Sequence, residues 1–149
     1  MTADLHLAIA HHLLIFTLFG ILISELVLVK KDMNSANVKR IASIDIWYGI
    51  VALLILIAGF ARVVYGAKGW AYYSANLFFW AKLGVFVLIG TLSAWPTLKF
   101  ITWRRHFQTG GNPPDDASVA SVRRVLWLET ALFALLPAFA AAMARGYGQ

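Results

Sequence analysis

The chain has no cysteine. That absence excludes disulfides, thiolate metal sites and iron–sulfur ligation, and it leaves histidine as the principal soft ligand. Charge is also scarce: 13% of the 149 residues are Asp, Glu, Lys or Arg, against about a quarter in ordinary globular chains. Acidic residues are the scarcer sign, 7 against 13 basic ones, for a net charge of +6. There is no P-loop, no HExxH, no dinucleotide glycine fingerprint and no nucleophile elbow, which argues against nucleotide-driven or hydrolytic chemistry. Nor does a basic n-region precede the first apolar run. Asp4 stands there instead, and the run is long for a cleavable signal, so it is expected to remain as an anchor.

What is present is apolar length. Hydrophobic residues make up 60% of the chain, and mean hydropathy is +0.72. Four runs, at about 5–29, 45–65, 77–101 and 125–144, each approach the length that crosses ~30 Å of hydrocarbon at ~1.5 Å per residue. The expected fold is all-α, a transmembrane four-helix bundle forming a single membrane domain over residues 1–149. Its one clear flexible loop is expected at about 108–118, around GGNPPDDAS. Asn34 and Ser35 are turn or cap candidates in the first connection, and Asp116 or Ser118 could cap a helix leading to Arg123 and Arg124. Pro96 and Pro137 read as kinks of the kind membrane helices tolerate. Trp70, Tyr72, Tyr73 and Trp80 form the aromatic cluster expected at a membrane–water boundary.

Basic residues set the expected orientation. The 1–2 and 3–4 connections hold Lys30, Lys31, Lys39, Arg40, Lys99, Arg104, Arg105, Arg123 and Arg124, and the other side holds Arg62, Lys68 and Arg145. The positive-inside rule then places both termini in the periplasm, with the protein multi-pass in the bacterial cytoplasmic (inner) membrane. Positives beside apolar spans report topology in the lipid bilayer, so no nucleic-acid partner is expected.

Ionisable groups inside the spans are the functional candidates, because each is costly in hydrocarbon. The first span, LHLAIAHHLLIFTLFGILISELVLV, carries His6, His11, His12 and Glu25. His11 and His12 lie about 10 Å below the outer boundary at ~1.5 Å per residue. Lys82 falls at nearly the same depth on the third span, and Arg62 a little nearer the surface. Glu25, Asp45 and Glu129 fall near the inner ends of their helices. The charges thus split into an outer layer of His, Lys and Arg and an inner layer of carboxylates.

Neutral imidazole binds haem iron, and haem propionates take cationic partners. The outer layer supplies both beside Phe16, Phe19, Phe78 and Phe79, with Ala8, Gly20, Gly59 and Gly84 as small residues for close approach. His11 and His12 point about 100° apart and His6 about 140° from His11, so no two share a face for one iron. Every histidine within a span is on one helix. Two imidazoles on one iron therefore require a second copy of that helix, hence a homodimer, or another sixth ligand such as Met143. Plainer readings stand beside this one. His6 and His106 would be interfacial, the His11–His12 pair would pack and hydrogen-bond between helices, and Lys82 and Arg62 would snorkel. Glu25, Asp45 and Glu129 would pair with Arg40, Lys99 or Arg123, or else form a proton path.

Several segments together resemble a family of small bacterial four-helix membrane proteins catalogued only as a domain of unknown function. They are LAIAHHLLIF with Glu25, IDIWYGIVALLILIAGFARVVYGAKGWAYYSANLFFWAKLG and SAWPTLKFITWRR, with the run RVVYGAKGWAYYSANLFFWAK the most specific. More distantly, the chain is similar to HemJ-type protoporphyrinogen IX oxidases. The matching positions are His12 and the lysine of Trp80-Ala81-Lys82-Leu83, while Ser24-Glu25 stand where that family has an arginine region. This likeness implies haem b and a tetrapyrrole site.

The expected function is haem b binding near the periplasmic face, in electron transfer or redox sensing with an unspecified redox partner. His12 and His11 are the expected iron ligands, with His6 as a ligand from the second copy and Lys82 and Arg62 on the propionates. The alternatives are porphyrinogen oxidation of the HemJ type and a non-redox transporter component or scaffold.

Overall fold

Two asparagines and an aspartate decide where three of the long helices begin. Asn34 accepts from the Asn37 N–H at the start of α2 (Ser35–Tyr65), and Asn76 accepts from the Phe78 N–H at the start of α4 (Leu77–Gln108). Asp115, not the expected Asp116 or Ser118, accepts from the Ser118 N–H and opens α5 (Asp116–Phe133). Each satisfies an N–H group that the first turn of a helix leaves unpaired. α1 is Thr2–Leu28, the short α3 is Gly69–Ser74 and α6 is Leu135–Ala144. The computed structural model describes residues 2–66 and 68–148, with side chains from Leu5 onward. No strand occurs among them.

α5 and α6 together make the fourth span, interrupted at Ala134. Pro137 accounts for the break. It lacks an N–H, and its ring would clash with the carbonyl four residues back, so it is accommodated in the first turn of a restarted helix. Pro96, by contrast, is buried within an uninterrupted α4. α2 and α4 run well past the apolar runs that mark them in the sequence. Hydropathy reports only the lipid-covered part of a helix, whereas the hydrogen-bond ladder continues until a cap ends it. α3 lies in what reads as an aromatic loop, and Trp70 meets Trp80 there edge-on at 6.5 Å.

Packing follows one rule on all four spans. Buried and half-buried positions step by three and four residues: His11, Ile15, Leu18, Leu22, Glu25 and Val29 on α1 and just beyond it, and Ile41, Asp45, Tyr48, Ala52, Ile55, Gly59 and Arg62 on α2. The same spacing gives Lys82, Phe86, Ile89, Ser93, Pro96, Phe100 and Trp103 on α4, and Val119, Val122, Leu126, Glu129, Phe133 and Leu136 on α5–α6. Such seams let neighbouring helices pack knobs into holes over their whole length. α1 lies against α2 and α5, and α4 against α2 and the α5–α6 pair. The result is an all-α transmembrane bundle of four long apolar helices. The faces away from the seams carry exposed Leu13, Phe16, Leu53, Ile57, Phe60 and Leu98, as expected where lipid is the solvent.

The bundle is stitched at both ends. Where the α1–α2 and α4–α5 connections meet (the basic end), Arg123 donates to the carbonyls of Leu26 and Val29. It thereby caps the α1 C-terminus with a cation, the sign that the helix dipole favours there. Lys31 meets Asp116 at 2.6 Å with both side chains exposed. At the other end, which holds the chain termini, Asn76 is fully buried. It donates to the Tyr147 carbonyl, while the Leu77 N–H donates to that of Gly148. Tyr72 bridges Lys68 to the Met143 carbonyl.

Candidate functional site

Every ionisable seam residue falls in one of two layers. Nearer the termini, the first layer gathers His11, Arg62 and Lys82 from three helices, within electrostatic reach of one another. His11 points into the bundle and packs on α2, its Cε1 3.3 Å from where a Cβ on Gly59 would lie. Gly59 is thus small to admit an imidazole. This corrects its expected part as open space for a macrocycle; a Cβ at Gly20 or Gly84 would have nothing within 4 Å.

His12 is one residue out of the seam and faces outward. Its ring lies 6.3 Å from that of His11, nearly perpendicular to it. The His12 Nδ1–H donates to the Ala8 carbonyl at 2.7 Å, which leaves the Nε2 lone pair directed away from its own helix. An Nδ1–H held by a backbone carbonyl fixes the tautomer that leaves Nε2 able to ligate a metal. His6 is exposed further along α1. Among the described residues, no three His, Asp or Glu side chains gather closely enough to hold a bare metal ion.

Charge in this first layer is unbalanced. The His11 Nδ1 and the Arg62 Nε are buried with no hydrogen-bond partner, and no carboxylate pairs with Arg62 or Lys82 among the described side chains. Buried donors and cations of this kind are costly unless an anion or acceptor meets them. The layer therefore has the chemistry of a site for a carboxylate- or phosphate-bearing ligand.

The second layer lies about 20 Å along α1 from the first, at ~1.5 Å per residue. It brings together Glu25 of α1, Asp45 and Tyr48 of α2, and Glu129 of α5. The expected ion pairs with Arg40, Lys99 or Arg123 do not form: Lys31–Asp116 is the one salt bridge among the described residues. Arg123 is committed to the α1 carbonyls, and Lys99 lies over the Trp95 ring at 5.5 Å. Thr97 of α4 donates to Asp45 at 2.8 Å and the Tyr48 hydroxyl faces Glu129, whereas Glu25 Oε1 is buried without a partner. Tyr48 stands three residues after Asp45 on the α2 seam, and that spacing is the signal for it. Thr97 is one residue past Pro96 of the α4 seam, and nothing in the residue spacing marks it as a neighbour of the carboxylates.

No curated protein and no solved structure matches the chain. A family model does, over residues 3–148. A multi-pass bundle matched along nearly its whole length in this way belongs to the family described as "Predicted membrane protein (DUF2214)".

Proposed function

We propose that the chain is a haem b-binding protein of the bacterial inner membrane, working in electron transfer or redox sensing as a homodimer with both termini in the periplasm. The observation that carries this reading is His12. Its imidazole stands on the outer face of α1 with Nδ1 tied to Ala8 and Nε2 free, beside buried donors that have no acceptor. His12 would ligate the iron, with His11 as the other candidate on this helix and His6 of a second copy as a partner ligand. Arg62 and Lys82 would hold the propionates through charge-assisted hydrogen bonds. Haem bound there would supply reversible one-electron chemistry. The donor set fits haem, but the room does not lie inside one chain, because His11 fills the space over Gly59. A macrocycle held by His12 would lie against the outer face of α1, which supports a dimer built across α1. The excess of Lys and Arg at the basic end supports the orientation.

The test is the visible spectrum of the purified protein after haem supplementation, with its mass in detergent measured alongside. The expected result is a Soret band that is lost in His12→Ala, weakened in Arg62→Ala and carried by a dimer. Absence of a Soret band from well-folded protein overturns the haem reading.

The HemJ-type reading, oxidation of a porphyrinogen, draws on the matching positions of His12 and Lys82. It predicts complementation of a strain lacking its protoporphyrinogen oxidase. Failure at good expression removes it while leaving electron transfer standing.

A further inference from the structure

We propose that Glu25, Asp45 and Glu129 form a proton-binding site inside the bundle, reached from the basic end through a cleft between α2 and α4. The site is independent of haem.

Two observations carry it. The first is that neither glutamate has a counter-cation. Glu25 is 2% exposed and Glu129 1%, yet Glu25 Oε1 has neither a donor nor a cation, and Glu129 is faced by the Tyr48 hydroxyl and by no cation among the described residues. Ionised carboxylates so placed would face the desolvation cost of buried charge together with mutual repulsion. Protons on the cluster remove both costs, because a carboxyl O–H can donate to a neighbouring carboxylate. Among the described residues no group of three possible ligands is compact enough for a metal ion, and a proton needs no such ligand set.

The second observation is a route. A cleft of about 840 Å³ runs between α2 and α4, with Arg104, Arg105 and Gln108 at its mouth and Ser93, Thr97, Asp45 and Tyr48 along its walls. Polar groups at this spacing give water the partners it needs inside a membrane protein. Asp45 is the member of the cluster that lines the cleft, so it is the entry point, with Glu25 and Glu129 behind it.

The groups facing the cluster are few. α1 offers Glu25 alone until His11, about 20 Å away at ~1.5 Å per residue. α2 offers Asp45 and Tyr48, with Lys39 and Arg40 exposed toward the basic end. α4 offers Thr97, with Arg104 and Arg105 at the mouth, and Lys99 lies over Trp95. α5 offers Glu129, while Arg123 is engaged by α1. No cation from any packed element neutralises the carboxylates.

Infrared spectroscopy of the whole protein in lipid at neutral pH tests this, because a protonated carboxyl has its own C=O band. The expected result is such a band, diminished in Glu129→Gln and in Glu25→Gln, that shifts promptly when the bilayer is moved into D₂O. Gly90 lines the cleft and has nothing within 4 Å of a Cβ, so Gly90→Leu should leave the band intact and slow its shift. The proposal is overturned if folded wild-type protein lacks the band at neutral pH. It is equally overturned if the D₂O shift in Gly90→Leu proceeds at the wild-type rate. Both readouts remain decisive if a glutamate variant fails to fold.

Discussion

The terminal layer of the bundle holds His11, Arg62 and Lys82 half-buried, with His12 just outside, and the deeper layer holds three buried carboxylates on α1, α2 and α5. The two layers share seams: His11 and Glu25 lie on the same stripe of α1, and Asp45 and Arg62 on the same stripe of α2. A four-helix seam of this length would be most stable filled with Leu, Ile and Val. Each polar residue in it gives up apolar packing and adds desolvation. The cations and the carboxylates could in principle have cancelled each other, yet they stand several turns apart on the same helices. Separation of the two signs suggests that each layer is kept for something from outside the fold: an anionic ligand at the half-buried layer, protons at the buried one.

The largest expected effect that would break this comparison is in the terminal layer. Gly59→Leu places carbon where the His11 ring lies, and overpacking should cost ~1–3 kcal/mol in thermal unfolding in detergent. Gly20→Leu, with open space around it, should leave the melting curve unchanged. Equal effects at the two glycines would mean that His11 is not held against α2.

Of comparable size is the effect expected at the cation that sits near the carboxylates and ignores them. Arg123→Ala removes the two charge-assisted bonds to the end of α1 and should cost ~1.5–3 kcal/mol. In Arg123→Ala the infrared carboxyl band should be unchanged. A change in that band would show that Arg123 neutralises the cluster after all.

Smaller still is the cost of neutralising a carboxylate. A buried glutamate in an ion pair costs ~3–5 kcal/mol to break. Glu129→Gln should instead fall within ~1 kcal/mol of wild type in the same melt, as hydrogen-bonding groups of matched shape do. A loss at the ion-pair level would overturn the absence of a counter-cation.

The smallest effect is expected outside the membrane. Asp116 beside Lys31 holds that ammonium above the usual lysine range, chiefly through their hydrogen bond. A raised lysine stabilises the fold at pH below its ordinary range, and the contribution is lost as pH climbs through the raised value. Both groups are exposed, so Lys31→Ala should lower melts at neutral pH only slightly, and that difference from wild type should vanish as pH climbs through the range where lysine titrates.

Much of the fold was legible because its causes are local. Span number and approximate depth follow from apolar length, and Asn34 is a cap by residue type. The separation of the charges into two layers needed only residue counting along antiparallel spans. Gly59 shows the limit: a glycine facing the core reads as open space, and only a neighbour's side chain reveals that the space is filled. The carboxylates show it again. Distance along the sequence offered Arg40, Lys99 and Arg123 as partners, but Arg123 had a stronger claim on it from the unpaired carbonyls ending α1.

By itself, then, the sequence determined four membrane-crossing helices, their approximate limits and the depth at which each ionisable residue sits. Those properties depend on hydrophobic transfer and on backbone hydrogen bonding within single segments. Only the tertiary structure decided that His11 turns inward while adjacent His12 turns outward, and that Glu25, Asp45 and Glu129 come together from three helices with no ion-pair partner among the described residues. The two histidines differ by about 100° around one helix, and which direction is inside is set by where the neighbouring helices pack.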